Sequence, residues 1–167
     1  MAKVFAPRQP LLPSVLDRLL DNDPEVRQEP PLAYSQDLQD LHEAVKRDLE
    51  NLLNTRRRCE SWPADWQELE HSLVNYGLPD FMAMNLVTDE GREAFRRLLE
   101  EVIRRCEPRL DRVKVGLLEN TEPLDRTLRF RIEALLRAEP TPESVAFDSA
   151  LEPVTCNFTL KRSDNGR

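Results

Sequence analysis

Glycine is scarce in this chain, 4 of 167 residues. A phosphate-cradling loop has little material to form, and no P-loop, GxGxxG or GxSxG motif is present. Cysteine is scarce too: Cys59, Cys106 and Cys156 are odd in number, widely spaced and lack a CxxC pair. That excludes a disulfide framework and speaks against zinc. The three thiols read as small buried or half-buried hydrophobes in a reduced, cytoplasmic protein. The two histidines, His42 and His71, sit in no HExxH or Cys/His cluster and read as surface or satisfied polar residues. No cofactor or metal is expected. Apolar runs are short, so neither a membrane span of about 18 residues nor a signal-peptide core is found.

Charge of one sign is in excess. Lys plus Arg is 24 against 31 for Asp plus Glu, a net charge of −7. That balance argues against general nucleic-acid binding. Charged residues are 33% and hydrophobic ones 40%, enough for a modest core in one domain.

Proline crowds the first 31 residues, so 1–34 reads as an extended segment. It is interrupted by one short amphipathic helix around 12–20. A single α+β domain is expected over 35–162, with a polar tail at 163–167. The first long helix is predicted from Ser35 as N-cap, with Leu38, Leu41, Val45, Leu49 and Leu52 as its apolar stripe. Arg56, Arg57 and Arg58 are expected to close it against the helix dipole. Trp62 to Val74 reads as a short helical piece, with Trp62 and Trp66 in local core packing. Gly77 is a natural helix C′ residue, and Tyr76 and Phe81 are expected to pin the following turn to the core. A second long helix is predicted from Thr88 or Asp89 to Cys106, stopped by Pro108.

The periodicity then changes to two. Val113, Val115 and Leu117 mark one strand, and Leu128, Phe130, Ile132, Ala134 and Leu136 a second, with a turn at Asn120 to Pro123. In the last segment Val145, Phe147 and Leu151 are odd, whereas Val154, Cys156, Phe158 and Leu160 are even. The expectation is one final strand in two parts, bulged or bent at Pro153. Helices packed on a small antiparallel sheet of three to four strands is thus the predicted fold class. Acidic pairs of the kind a glycosidase uses carry no weight among 31 carboxylates.

Three stretches are more telling: Asp48-Leu49-Glu50-Asn51-Leu52-Leu53-Asn54-Thr55-Arg56, Asn75-Tyr76-Gly77-Leu78-Pro79-Asp80-Phe81 and Arg105-Cys106-Glu107-Pro108-Arg109-Leu110. Followed by Leu128 to Ala134, they resemble the TssE family, the baseplate subunit of bacterial type VI secretion systems. The resemblance runs over about residues 11–160. It implies an assembly role in a cytoplasmic baseplate docked at the inner membrane. There the subunit joins the wedge, with TssF, TssG and TssK, to the contractile sheath of TssB and TssC, and templates the first sheath ring. It implies no catalysis, no nucleic acid and no membrane insertion. The family's old lysozyme-like label leaves a peptidoglycan hydrolase as the alternative, and a regulatory binding protein on the same fold as another.

The family's Glu-Pro-Arg motif, implicated in wedge docking, is matched by Glu107, Pro108 and Arg109. Arg109 offers a planar fork for a carboxylate or carbonyls. The bland alternative is a Glu–Arg brace internal to the corner. A basic stripe of Arg112, Lys114, Arg126, Arg129 and Arg131 lies outward on the predicted strands. It is either a solvated sheet face or a patch for acidic partner segments. An open sheet edge would suit strand addition by the sheath.

Overall fold

The computed structural model describes residues 14–19, 25, 34–59, 61–63, 65–118, 127–138, 141–152 and 155–163. The expectations for 1–13, 20–24, 26–33, the Asn120 to Pro123 turn, Arg126, Pro153 and the tail 164–167 lie outside these residues, as does the side chain of His71.

Helix α1 spans Val15–Leu19. Ser14 and Asp17 cap it mutually: Ser14 Oγ donates to Asp17 Oδ2 at 2.6 Å, and the Asp17 N–H donates to Ser14 Oγ. Helix α2 spans Tyr34–Asn54, so Ser35 is its second residue and not its cap. Of its predicted stripe Val45, Leu49 and Leu52 are buried at 2% exposure or less, while Leu38 and Leu41 are half-buried. The arginine triplet lies beyond the helix end. Arg56 pairs with Leu78 in a short parallel bridge, and the Arg57 N–H donates to Leu78 O at 2.7 Å.

Residues Gln67–His71 and Leu73–Asn75 form two short 3-10 turns. Trp66 is exposed and Trp62 only half-buried, so this piece is not the predicted local core. Gly77 adopts φ 101°, and a Cβ there would stand 2.5 Å from Thr55 O. A residue with a side chain fits neither demand. Helix α3 spans Asp89–Cys106, capped by Thr88, whose hydroxyl accepts from the Gly91 N–H.

Four strands follow: β1 Leu110–Leu118, β2 Leu128–Leu136, β3 Glu143–Glu152 and β4 Asn157–Arg162. They form one antiparallel sheet in the order β1-β2-β3-β4. The predicted bent final strand is instead a hairpin. Its phase flip is a turn closed by the Cys156 N–H donating to Glu152 O, with Cys156 at φ 54°. A bulge in β1 places two residues, Arg112 and Val113, opposite one on β2; Arg112 takes φ 52°. This lets Leu110 and Val113, three apart, both face inward.

One face of the sheet packs on α2 and α3. Phe95 of α3 sits at the centre, 4.8 Å from Phe81, 5.6 Å from Phe130 and 6.4 Å from Phe158, centroid to centroid. Cys59 is exposed, against expectation, while Cys106 and Cys156 are half-buried.

Candidate functional site

Pro108 turns the chain out of α3, because the residue before a proline leaves the helical region; Glu107 sits at φ −121°, ψ 83°. Glu107 is 6% exposed. A buried carboxylate needs donors, and Arg109 supplies them. Its Nε donates to Glu107 Oε1 at 2.8 Å and its Nη2 to Oε2 at 2.7 Å, while its backbone N–H adds a third bond. The same Nη2 reaches across to Asp48 Oδ2 of α2 at 2.6 Å. Asp48 also accepts from Arg47, and Arg47 donates to Asp17 of α1 at 2.6 Å. Five charges therefore run in alternating sign from α1 through α2 to the α3–β1 corner.

Asp17 and the two arginines are tuned by their partners. The bonds to Glu107 and Asp48 raise the Arg109 guanidinium above its ordinary value. Burial pushes Asp17 up, but the hydrogen bonds from Ser14 and Arg47 outweigh it and hold Asp17 low. The brace within Glu107–Arg109 is thus formed. The Nη1 of Arg109 remains buried with no hydrogen-bond partner among the described residues.

The basic stripe is not brought together as one patch. Arg112 stands exposed on the bulge. Lys114 lies opposite Glu133, and Arg129 is exposed opposite Leu118. Arg131 donates from Nε and Nη2 to the two carboxylate oxygens of Asp148, at 2.7 and 3.1 Å. Acidic cross-strand neighbours thus interrupt the positive field.

An open sheet edge would suit strand addition, but side chains cover much of the two described edges. On β1, Arg104 donates to Val113 O at 2.7 Å, Glu100 accepts from the Val115 N–H at 2.9 Å, and Arg96 donates to Val115 O. On β4, Asn54 donates to Phe158 O at 2.9 Å and accepts from its N–H at 2.8 Å, as a neighbouring strand would. Glu50 accepts from the Leu160 N–H, and Arg56 donates to Cys156 O while lying 4.4 Å over the Phe81 ring. Residues 50, 96, 100 and 104 were not singled out for these roles. Their signal is polar side chains flanking an apolar helical stripe, which becomes legible only once the strand beside each helix is known.

Two long helices on one face of a four-stranded antiparallel sheet, joined by a buried Glu–Arg corner, describe a compact scaffold. The chain belongs to the family of baseplate wedge protein gp25, whose sequence profile matches residues 39–141, more than half its length. The match covers Asp48, Glu107 and Arg109, and it agrees with the resemblance to TssE. No curated protein and no solved structure matches the chain significantly.

Proposed function

We propose that this chain is a non-enzymatic structural subunit of a type VI secretion baseplate, joining the wedge to the contractile sheath. The observation that carries the reading is its membership of a phage-tail-like baseplate family across the residues that build the corner. In this reading residues 35–162 form the adaptor, 1–34 lead into it and 163–167 trail it. The Glu107-Pro108-Arg109 corner docks on wedge proteins of the TssF, TssG and TssK kind. The sheet, with Arg112, Lys114, Arg129 and Arg131 on it, faces sheath proteins of the TssB and TssC kind. The site is a cytoplasmic baseplate at the inner membrane; no helix among the described residues is long and apolar enough to cross that membrane.

Four of the carboxyls are unsuited to the acid step of glycoside hydrolysis. Asp17, Glu93, Asp111 and Asp148 are all held below their ordinary values, chiefly by hydrogen bonds from Ser14 or from arginines. A glycosidase acid must instead be raised. The test is capture of purified TssF–TssG by immobilised chain. Arg109→Ala is expected to abolish it, while Phe95→Leu, which weakens the core and leaves the corner intact, retains it. Capture unchanged by Arg109→Ala sinks the docking role.

A further inference from the structure

An amphipathic helix on a protein surface ordinarily buries its apolar stripe. Helix α1 does the reverse. Val15, Leu16 and Leu19 are exposed at 74%, 55% and 76%, while the Asp17 side chain is at 15%. The hydrophobic effect therefore does not hold α1 in place, and five residues are too few for a helix to be stable on its own.

What holds it is one carboxylate with two tasks. Asp17 Oδ2 accepts from the N–H and the hydroxyl of Ser14, at 3.2 and 2.6 Å, and closes the helical turn. Asp17 Oδ1 accepts from Arg47 Nη2 at 2.6 Å and ties that turn to α2. This ion pair is the one bond from α1 to another element among the described residues. The Arg47 side chain is 39% exposed, and it also touches Asp48, which holds Arg109. Arg47 is thus the outer cation of the charge row that ends at the Glu107–Arg109 corner. The group it holds is a carboxylate, so a carboxylate on a docking partner fits the same place. Release of α1 is cheap: an ion pair this exposed is weak, and the three apolar residues give up no shelter by leaving.

We propose that α1 is a strap, whose Asp17 occupies Arg47 in the free subunit and is displaced by an acidic side chain of a wedge partner arriving at the corner. This rests on the reading of the corner as the wedge-docking site and adds a self-contact that the partner must break. Closure of α1 and access to Arg47 are alternatives, so the partner's affinity is reduced by the fraction of chains that are unstrapped.

The two ends of the ion pair should then answer with opposite signs. Asp17→Ala removes the competitor and should strengthen capture of purified TssF–TssG about five-fold, the bias an exposed ion pair gives. Arg47→Ala removes the receiving guanidinium and should weaken capture about ten-fold. Glu133→Ala makes the same charge change as Asp17→Ala, at an exposed position of β2, and should bind like the parent. Any other pattern overturns the strap alone. Weakening by both Asp17→Ala and Arg47→Ala would make the pair a brace or α1 a docking element, and strengthening by Glu133→Ala would make the effect one of net charge. A parent chain that does not capture TssF–TssG overturns the docking reading and the strap with it. If either variant fails to fold, hydrogen exchange on the unmodified chain decides. The Asp17 amide, which donates to Ser14 Oγ at 3.2 Å, should exchange faster in the complex than in the free chain. Equal or slower exchange overturns the strap.

Discussion

Glu107 and Arg109 show why a short motif is kept whole at one corner. The carboxylate is buried and the guanidinium is its main source of donors, so removing the arginine strands a charge. Arg109→Ala is expected to cost about 3 kcal/mol, and Glu107→Gln about half that, since the amide still accepts. The double variant should cost less than the sum, which urea denaturation of the four proteins measures. Additive costs would mean that the bonds at 2.7 and 2.8 Å contribute nothing jointly. His42 makes a second prediction. Burial, then Arg162, holds its imidazole below the ordinary 6.5, against the opposing pull of Glu143 and Glu43. The unfolded chain takes up a proton near 6.5 and the native chain resists it. Stability is therefore full above that pH and falls as pH drops through it toward the lower native value. Urea midpoints at pH 7.5 and 5.5 should differ for the parent and for His71→Gln, and converge in His42→Gln. The lowered carboxyls titrate below this window. The motif residues were legible in the sequence, because their spacing is local. Asp48 as their third partner was not, since it lies 61 residues from Arg109. Nor was the burial of His42, a polar residue whose place seven before Leu49 nonetheless sets it on the flank of the apolar stripe.

At the scale of elements, the sheet is finished by side chains that act as strands. Asn54 matters most, bonding both main-chain groups of Phe158. Asn54→Ala should lower stability by about 1–3 kcal/mol through the two unmet groups. It should also open β4 to self-association, visible as a mass above the monomer in light scattering. A stable monomer at unchanged urea midpoint would show the caps to be incidental. Elements with strong periodicity were legible: α3 begins and ends as Thr88 and Pro108 dictate, and the inward residues of β2 follow strict alternation. The errors share one cause, a change of phase read without its geometry. At Glu152 the flip is a hairpin turn, although a bulge explains the same parity. At Arg112 a bulge is present, yet the run Val113, Val115, Leu117 looks like uninterrupted alternation. Only the neighbouring strand, Leu110 against Leu136 and Lys114 against Glu133, reveals the extra residue. The end of α2 was misjudged for a related reason, since Arg56 was read along α2 and is held by the Cys156 carbonyl and Phe81.

For the whole molecule, one core ties the 81–84 loop, α2, α3 and the sheet together, with Phe95 touching Phe81, Phe130 and Phe158. Such a core unfolds cooperatively. The described part of 61–74 is attached differently. Trp66, Leu73 and Val74 are exposed at 58%, 89% and 41%, and the segment rejoins the body at Asn75, whose carbonyl accepts from Arg105. Regions with few buried apolar contacts open at lower free energy than the global transition. Both tryptophans, Trp62 and Trp66, lie in this segment, whereas helix and strand signals come from the core. Tryptophan fluorescence should therefore change before far-ultraviolet circular dichroism does, with midpoints separated by about 0.5 M urea or more if the local opening is about 1 kcal/mol easier. Trp66→Phe, which leaves the half-buried Trp62 as the reporter, should keep the separation. Phe95→Leu should lower the dichroism midpoint and leave the fluorescence midpoint nearly in place, narrowing the gap. Coincident transitions in all three proteins would place 61–74 inside the cooperative unit. That outcome would mean that its apolar surface is braced by the body, and not held ready for a neighbour in the assembly.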